Sequence, residues 1–112
     1  MNQRDPILSS VCEYIQSNIQ NKITMSDLEK HTELSARALQ FKFKKHLNKS
    51  PFQYIEEQKL LKAHELIQEY RRSKTISEIT QLLKFSHKGR FSMSFKKRFG
   101  VHPSTFAKIN TI

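Results

Sequence analysis

A pattern that occurs twice constrains this chain more than any single motif. Thr24-Met25-Ser26-Asp27-Leu28 returns as Thr75-Ile76-Ser77-Glu78-Ile79, and Leu34 returns as Phe85, both at an offset of 51. Past the intervening turn the offset becomes 52. Leu39, Phe43-Lys44-Lys45, Leu47, Asn48 and Pro51 then match Phe91, Phe95-Lys96-Lys97, Phe99, Gly100 and Pro103, so one residue is inserted near Ser86 to Arg90. Hydrophobic spacing and helix punctuation recur together, which marks each copy as one supersecondary unit.

Within a copy the reading is helix, tight turn, longer basic helix. Thr24 offers an N-cap with Asp27 in the first turn, and Thr75 with Glu78 forms a full capping box. Ser35 caps the second helix of the first copy, SARALQFKFKKHL, whose buried stripe is Leu39, Phe43 and Leu47. Asn48 follows as a residue that tolerates the left-handed conformation at a helix end. A short capped helix followed by a longer basic one is the outline of a helix-turn-helix, whose second helix enters the DNA major groove while the first braces it.

The copies are joined by SPFQYIEEQKLLKAHELIQEY, residues 50–70, which reads as one uninterrupted helix. Ser50 caps its start, Pro51 sits where a missing N–H costs nothing, and Gln53 occupies the reciprocal capping-box position. Ile55, Leu60, Ala63, Leu66, Ile67 and Tyr70 lie near one face, whereas Glu56, Glu57, Lys59, Lys62, Glu65 and Glu69 are assigned to water. Twenty residues make a rod of roughly 30 Å, close to the ~34 Å advance of one turn of B-DNA. A leading amphipathic helix is expected over residues 7–20 from Leu8, Val11, Cys12, Ile15 and Ile19, ending at Asn21. Pro103 opens a closing helix with Phe106 and Ile109 facing inward.

No strand pattern appears, and two glycines in 112 residues leave no flexible linker. The expectation is an all-α fold of seven helices: two helix-turn-helix subdomains, residues 1–50 and 71–112, joined by a long central helix over residues 51–70, a homeodomain-like tandem. The lone Cys12 belongs to a helical apolar stripe and reads as a buried thiol. No apolar run approaches the ~20 residues needed to span a bilayer, and the N-terminus lacks a signal-peptide pattern, so a soluble, cytoplasmic protein is expected.

Net charge is +10, and its distribution says more than its sum. Between Leu34 and Ile55 there is no acidic residue, and none again from Ile79 to the C-terminus; the ten carboxylates lie elsewhere. Two acid-free blocks separated by an acid-bearing helix fit two polyanion-facing surfaces, with nucleic acid the leading partner. The five histidines share no ligand spacing, and no nucleophile–base pair, phosphate loop or paired-carboxylate site appears. Catalysis, a metal and a cofactor are therefore not expected.

Several segments together resemble the AraC/XylS family of bacterial transcriptional regulators. They are Ser35…Leu39…Phe43, Ser50-Pro51-Phe52-Gln53-Tyr54-Ile55, Lys59-Leu60…Ala63, and Phe91…Phe95-Lys96-Lys97-Arg98-Phe99-Gly100-Val101-His102-Pro103. The resemblance runs from about Ile7 to Phe106. It implies a DNA-binding unit of two helix-turn-helix subdomains, either as a small family member or as the C-terminal piece of a longer regulator.

The resemblance puts base-reading positions on Arg37, Gln40 and Phe41 of the first recognition helix, and on Lys88, Arg90 and Met93, with Gly89, in the second. Arg37 and Gln40 suit guanine and adenine edges. Phe41 and Met93 stand where the family usually places an arginine, and for Phe41 both thymine-methyl contact and a packing role are open. Lys88 and Arg90 suit bases or phosphates, or form a solvated basic face. Gly89 costs about 1 kcal/mol within a helix. Backbone contacts are expected from Ser35, Lys44, Lys45, Lys49, Ser50, Ser86, Lys96, Lys97 and Thr105. Glu33 and Lys84 occupy the family's common turn glycine.

The function expected is sequence-specific binding of double-stranded promoter DNA by a transcriptional regulator with two recognition helices in successive major grooves. The alternatives are a non-specific architectural DNA-binding protein, or a helical interaction module that docks on RNA polymerase. No small-molecule effector site and no membrane partner are expected within this length.

Overall fold

The computed structural model describes residues 5–70, 72–85 and 88–109, with only the backbone described at 88, 89 and 109. Among the described residues there are seven helices and no strand: α1 (Pro6–Ser17), α2 (Met25–Thr32), α3 (Ala36–Leu47), α4 (Pro51–Tyr70), α5 (Ile76–Leu82), α6 (Lys88–Phe99) and α7 (Pro103–Ile109). They form two compact units, Met1–Gln58 and Lys59–Ile112, and the divide falls inside α4. The reason is packing: Ile55 enters the first core, while Leu60, Ala63, Leu66 and Ile67 enter the second.

Local chemistry sets the helix ends. Asp5 caps α1 by accepting from the Ile7 and Leu8 amides at 2.8 and 3.3 Å, with Pro6 in the first turn. α1 stops at Ser17, short of the expected Asn21, because the Asn18 side chain donates to the Tyr14 carbonyl at 2.9 Å and competes with the helical ladder. Ile19 and Ile23 are buried all the same, through the turn that follows. Both copies of the repeat carry a complete capping box: Thr24 with Asp27, and Thr75 with Glu78. Ser50 and Gln53 form the same reciprocal pair at the head of α4, at 2.8 and 3.1 Å.

The first core is largely aliphatic: Leu8, Val11, Ile15, Leu28 and Leu39 surround Phe43, with the free Cys12 buried among them. Phe43 meets Tyr54 edge-on at 5.7 Å, and Tyr14 stacks on His31 at 4.7 Å. The second core is aromatic. Phe95 lies between Phe91, Phe99 and Phe106, with ring centroids 4.6 to 5.9 Å apart, and His64 stacks on the same group. Phe106 packs inward as its spacing suggests; the side chain of Ile109 lies outside the described residues.

One α4 residue departs from the expected pattern. Lys59, assigned to water, is only 7% exposed. It stands four residues from both Ile55 and Ala63, so it shares their buried stripe, and its ammonium donates to the Leu83 carbonyl at 2.5 Å. Burial, together with the positive charge of Lys84, pushes its pKa down to about 8.

Candidate nucleic-acid interface

In the first unit the turn before α3 is closed by two side chains. Ser35 accepts from the Ala38 amide at 3.1 Å, and the Glu29 carboxylate accepts from the Ala36 amide at 3.0 Å. Glu33 supplies the reversal at φ 63°, the left-handed region that a glycine would enter without a Cβ penalty. These contacts fix how α3 leaves the turn. Leu39 and Phe43 are its buried anchors, and Gln40, Lys44, Arg37, Phe41 and Lys45 follow one another around an exposed arc.

Charge on that arc is uncompensated. Arg37, Lys44 and Lys45 form no ion pair among the described residues, whereas Lys42, at the arc's edge, bonds Asp5 at 2.6 Å. The Lys42 hydrogen bond holds the Asp5 carboxyl below the usual carboxylate range, helped by the Leu8 and Ile7 amides. A depression of about 470 Å³ lies beside the arc, lined by Asp5, Ser35, Arg37, Phe41, Lys45 and His46 among others. With Asp5 neutralised by Lys42, the remaining charge there is cationic. Lys45 sits over the Phe41 ring at 5.9 Å. Phe41 itself is 66% exposed, which removes the packing role left open by the sequence.

In the second unit Lys84 takes the left-handed position at φ 58°, and the Phe85 amide donates to the Thr80 carbonyl at 3.1 Å. The bond from Lys59 to Leu83 closes the end of α5 just before this turn. α6 buries Phe91 and Phe95 and exposes Arg90, Met93, Lys96 and Lys97. Ser86 and the side chain of Lys88 lie outside the described residues.

The expected backbone-contact residues divide by what already holds them. Lys44, Lys45, Lys96, Lys97 and Thr105 are exposed. Lys49 pairs with Glu57, and Ser50 is used as the α4 cap. Sequence reading missed three residues that shape the site: Asp5, Glu29 and Lys59. Lys59 was findable from its four-residue spacing and Asp5 from its place as a cap before Pro6; the Asp5–Lys42 pair and the bond from the Ala36 amide to Glu29 depend on the fold and left no sequence signal.

A family model described as a helix-turn-helix domain matches residues 28–109. The chain belongs to the AraC/XylS family as a DNA-binding domain. This AraC-type domain is similar to a probable AraC family transcriptional regulator from Rhodopseudomonas palustris, at 25% identity and a TM-score of 0.88, over 95% of this chain and 98% of that one. It is 31% identical over 93 residues to the probable transcriptional regulator LumQ of Photobacterium leiognathi, which covers 83% of this chain and 37% of that protein. Against the xylose operon regulatory protein of Haemophilus influenzae the identity is 31% over 102 residues, 91% of this chain and 26% of that protein. The chain thus spans about a quarter to a third of the length of these curated relatives. No helix among the described residues is long and apolar enough to cross a membrane.

Proposed function

We propose that this AraC-type domain binds promoter DNA at a specific sequence in the cytoplasm and regulates transcription, with α3 and α6 entering successive major-groove segments. The observation that carries the reading is the exposed cationic arc of α3, Arg37-Lys44-Lys45 with Gln40, which has no ion pair among the described residues and is presented by the second helix of a capped helix-turn-helix. Arg37 and Gln40 read guanine and adenine edges. In α6, Arg90 and Lys88 take the corresponding role, with Phe41 and Met93 as the apolar members of the two base-facing sets. Ser35, Lys44, Lys45, Lys49, Ser50, Ser86, Lys96, Lys97 and Thr105 hold phosphates and set register. The unbroken run of α4 from Pro51 to Tyr70, roughly 30 Å, supports a site spanning two groove segments.

Selection of bound sequences from a random duplex pool, followed by titration against salt, tests the reading. Neutralising ~6 to 8 phosphates gives a log–log slope of about −5 to −7. The selected site is expected to outcompete bulk DNA by ~10³ or more at ~0.15 M salt. Arg37→Ala with Gln40→Ala should lower specific affinity by about 10²-fold while leaving bulk binding nearly unchanged. A slope near zero, or a pool with no enriched sequence, overturns it.

A further inference from the structure

Two of the large apolar side chains exposed on this domain occupy the same position of the repeat. Phe41 is 66% exposed and Met93 is 73% exposed. They correspond at the offset that aligns Leu39 with Phe91 and Phe43 with Phe95. Each stands on the exposed arc of the second helix of its own unit, followed three and four residues later by a lysine pair, Lys44-Lys45 after Phe41 and Lys96-Lys97 after Met93. A single exposed apolar residue is ordinary on a protein surface. Recurrence at one register in both copies, each time beside cations, is not explained by chance exposure.

We infer that Phe41 and Met93 are specificity determinants that read the 5-methyl group of thymine, so that each half of the target requires a thymine at the base this position covers. This rests on the DNA-binding reading above. The flanking lysines direct the position toward a polyanion, and Lys45 stands over the Phe41 ring at 5.9 Å, which keeps the ring within the basic arc. Within the major groove the methyl of thymine is the one apolar group on a base edge; guanine, adenine and cytosine offer donors and acceptors there. A phenyl ring or thioether leaves polar edge groups without partners at every base, thymine O4 included, so the preference for thymine comes from the contact with its methyl. The arginine usual at this position in the family would select guanine instead.

The test begins with the site recovered by selection, and each thymine in it is replaced singly by uracil, which deletes the methyl and keeps every hydrogen-bonding group. One position in each half should lose about fourfold in affinity, matching the ~0.8 kcal/mol of one buried methyl or methylene. Phe41→Ala should abolish that loss in its half, and Met93→Ala in the other, with the salt slope unchanged. Phe41→Arg should shift the preferred base at the same position from thymine to guanine. Because both side chains are mostly exposed, these variants are expected to fold normally, and the uracil series needs no variant at all. An enriched site insensitive to uracil, or a Phe41→Ala domain that keeps the full thymine preference, overturns the inference while leaving specific DNA binding intact. Absence of any enriched site instead overturns the DNA-binding reading itself.

Discussion

The two units build one outline with opposite chemistry. In the first, an aliphatic core supports a turn closed by a carboxylate: Glu29 accepts from the Ala36 amide at the start of α3. In the second, an aromatic core supports a turn closed by an ammonium: Lys59 donates to the Leu83 carbonyl at the end of α5. Each charge suits its helix terminus, negative at an N-terminus and positive at a C-terminus. Both turns use a left-handed residue, Glu33 and Lys84, and close an exposed polar helix end; the sign of the closing charge follows the terminus that is closed.

The difference predicts pH responses of the same sign in separate windows: stability rises with pH on the acid side through the first unit and on the alkaline side through the second. Asp5 and Asp27, both capping residues of the first unit, titrate below the usual carboxylate range, Asp5 through its Lys42 hydrogen bond and Asp27 through the Thr24 amide. Their stabilisation is present above the ordinary carboxylate pKa and is lost as pH falls through the depressed values. Lys59 belongs to the alkaline side. Its folded pKa, about 8, lies below the ordinary 10.5, so the unfolded chain binds more protons between those values.

The largest test of the comparison is in the cores. Phe95→Ala, which removes a ring packed against Phe91, Phe99 and Phe106, should cost about 3–5 kcal/mol in urea unfolding; Phe43→Ala, whose one described ring partner is Tyr54, should fall at the lower end of that range. Equal costs would show that the aromatic cluster adds nothing beyond burial. Next is the ammonium closure. Stability of the native domain should rise between pH 8 and 10.5 by up to about 3 kcal/mol relative to Lys59→Met, because deprotonation relieves the burial of charge. Parallel pH profiles for the two proteins would remove the charge from Lys59's role. The smallest effect concerns the turns: Glu33→Gly and Lys84→Gly should each raise stability by about 0.5–1 kcal/mol by relieving a Cβ in the left-handed region. Lys84→Gly should gain the more, since it also removes a positive charge acting on Lys59.

Much of this was legible in the residues. The reciprocal caps at Thr75–Glu78 and Ser50–Gln53 and the left-handed Asn48 stand where their local chemistry places them. The first copy's capping box was only half visible, because aspartate at its third position closes it as glutamate does in the second. The end of α1 was misplaced, since Asn18 competes for the backbone inside an apolar pattern that continues to Ile19. Lys59 was misassigned because residue type outweighed spacing.

Helix order, helix starts and the apolar stripes depend on residues within a turn or two of one another, and the sequence alone determined them. Only the tertiary structure decided the fate of the charged and exposed side chains. Lys42 is withdrawn from the basic arc by Asp5, 37 positions away, and Lys59 is drawn inward to a carbonyl 24 positions away. Phe41 is left in the open, although its composition would equally suit a core. Caps and periodicity are short-range properties of a helix, whereas pairing and exposure are set by which surfaces meet once the helices pack.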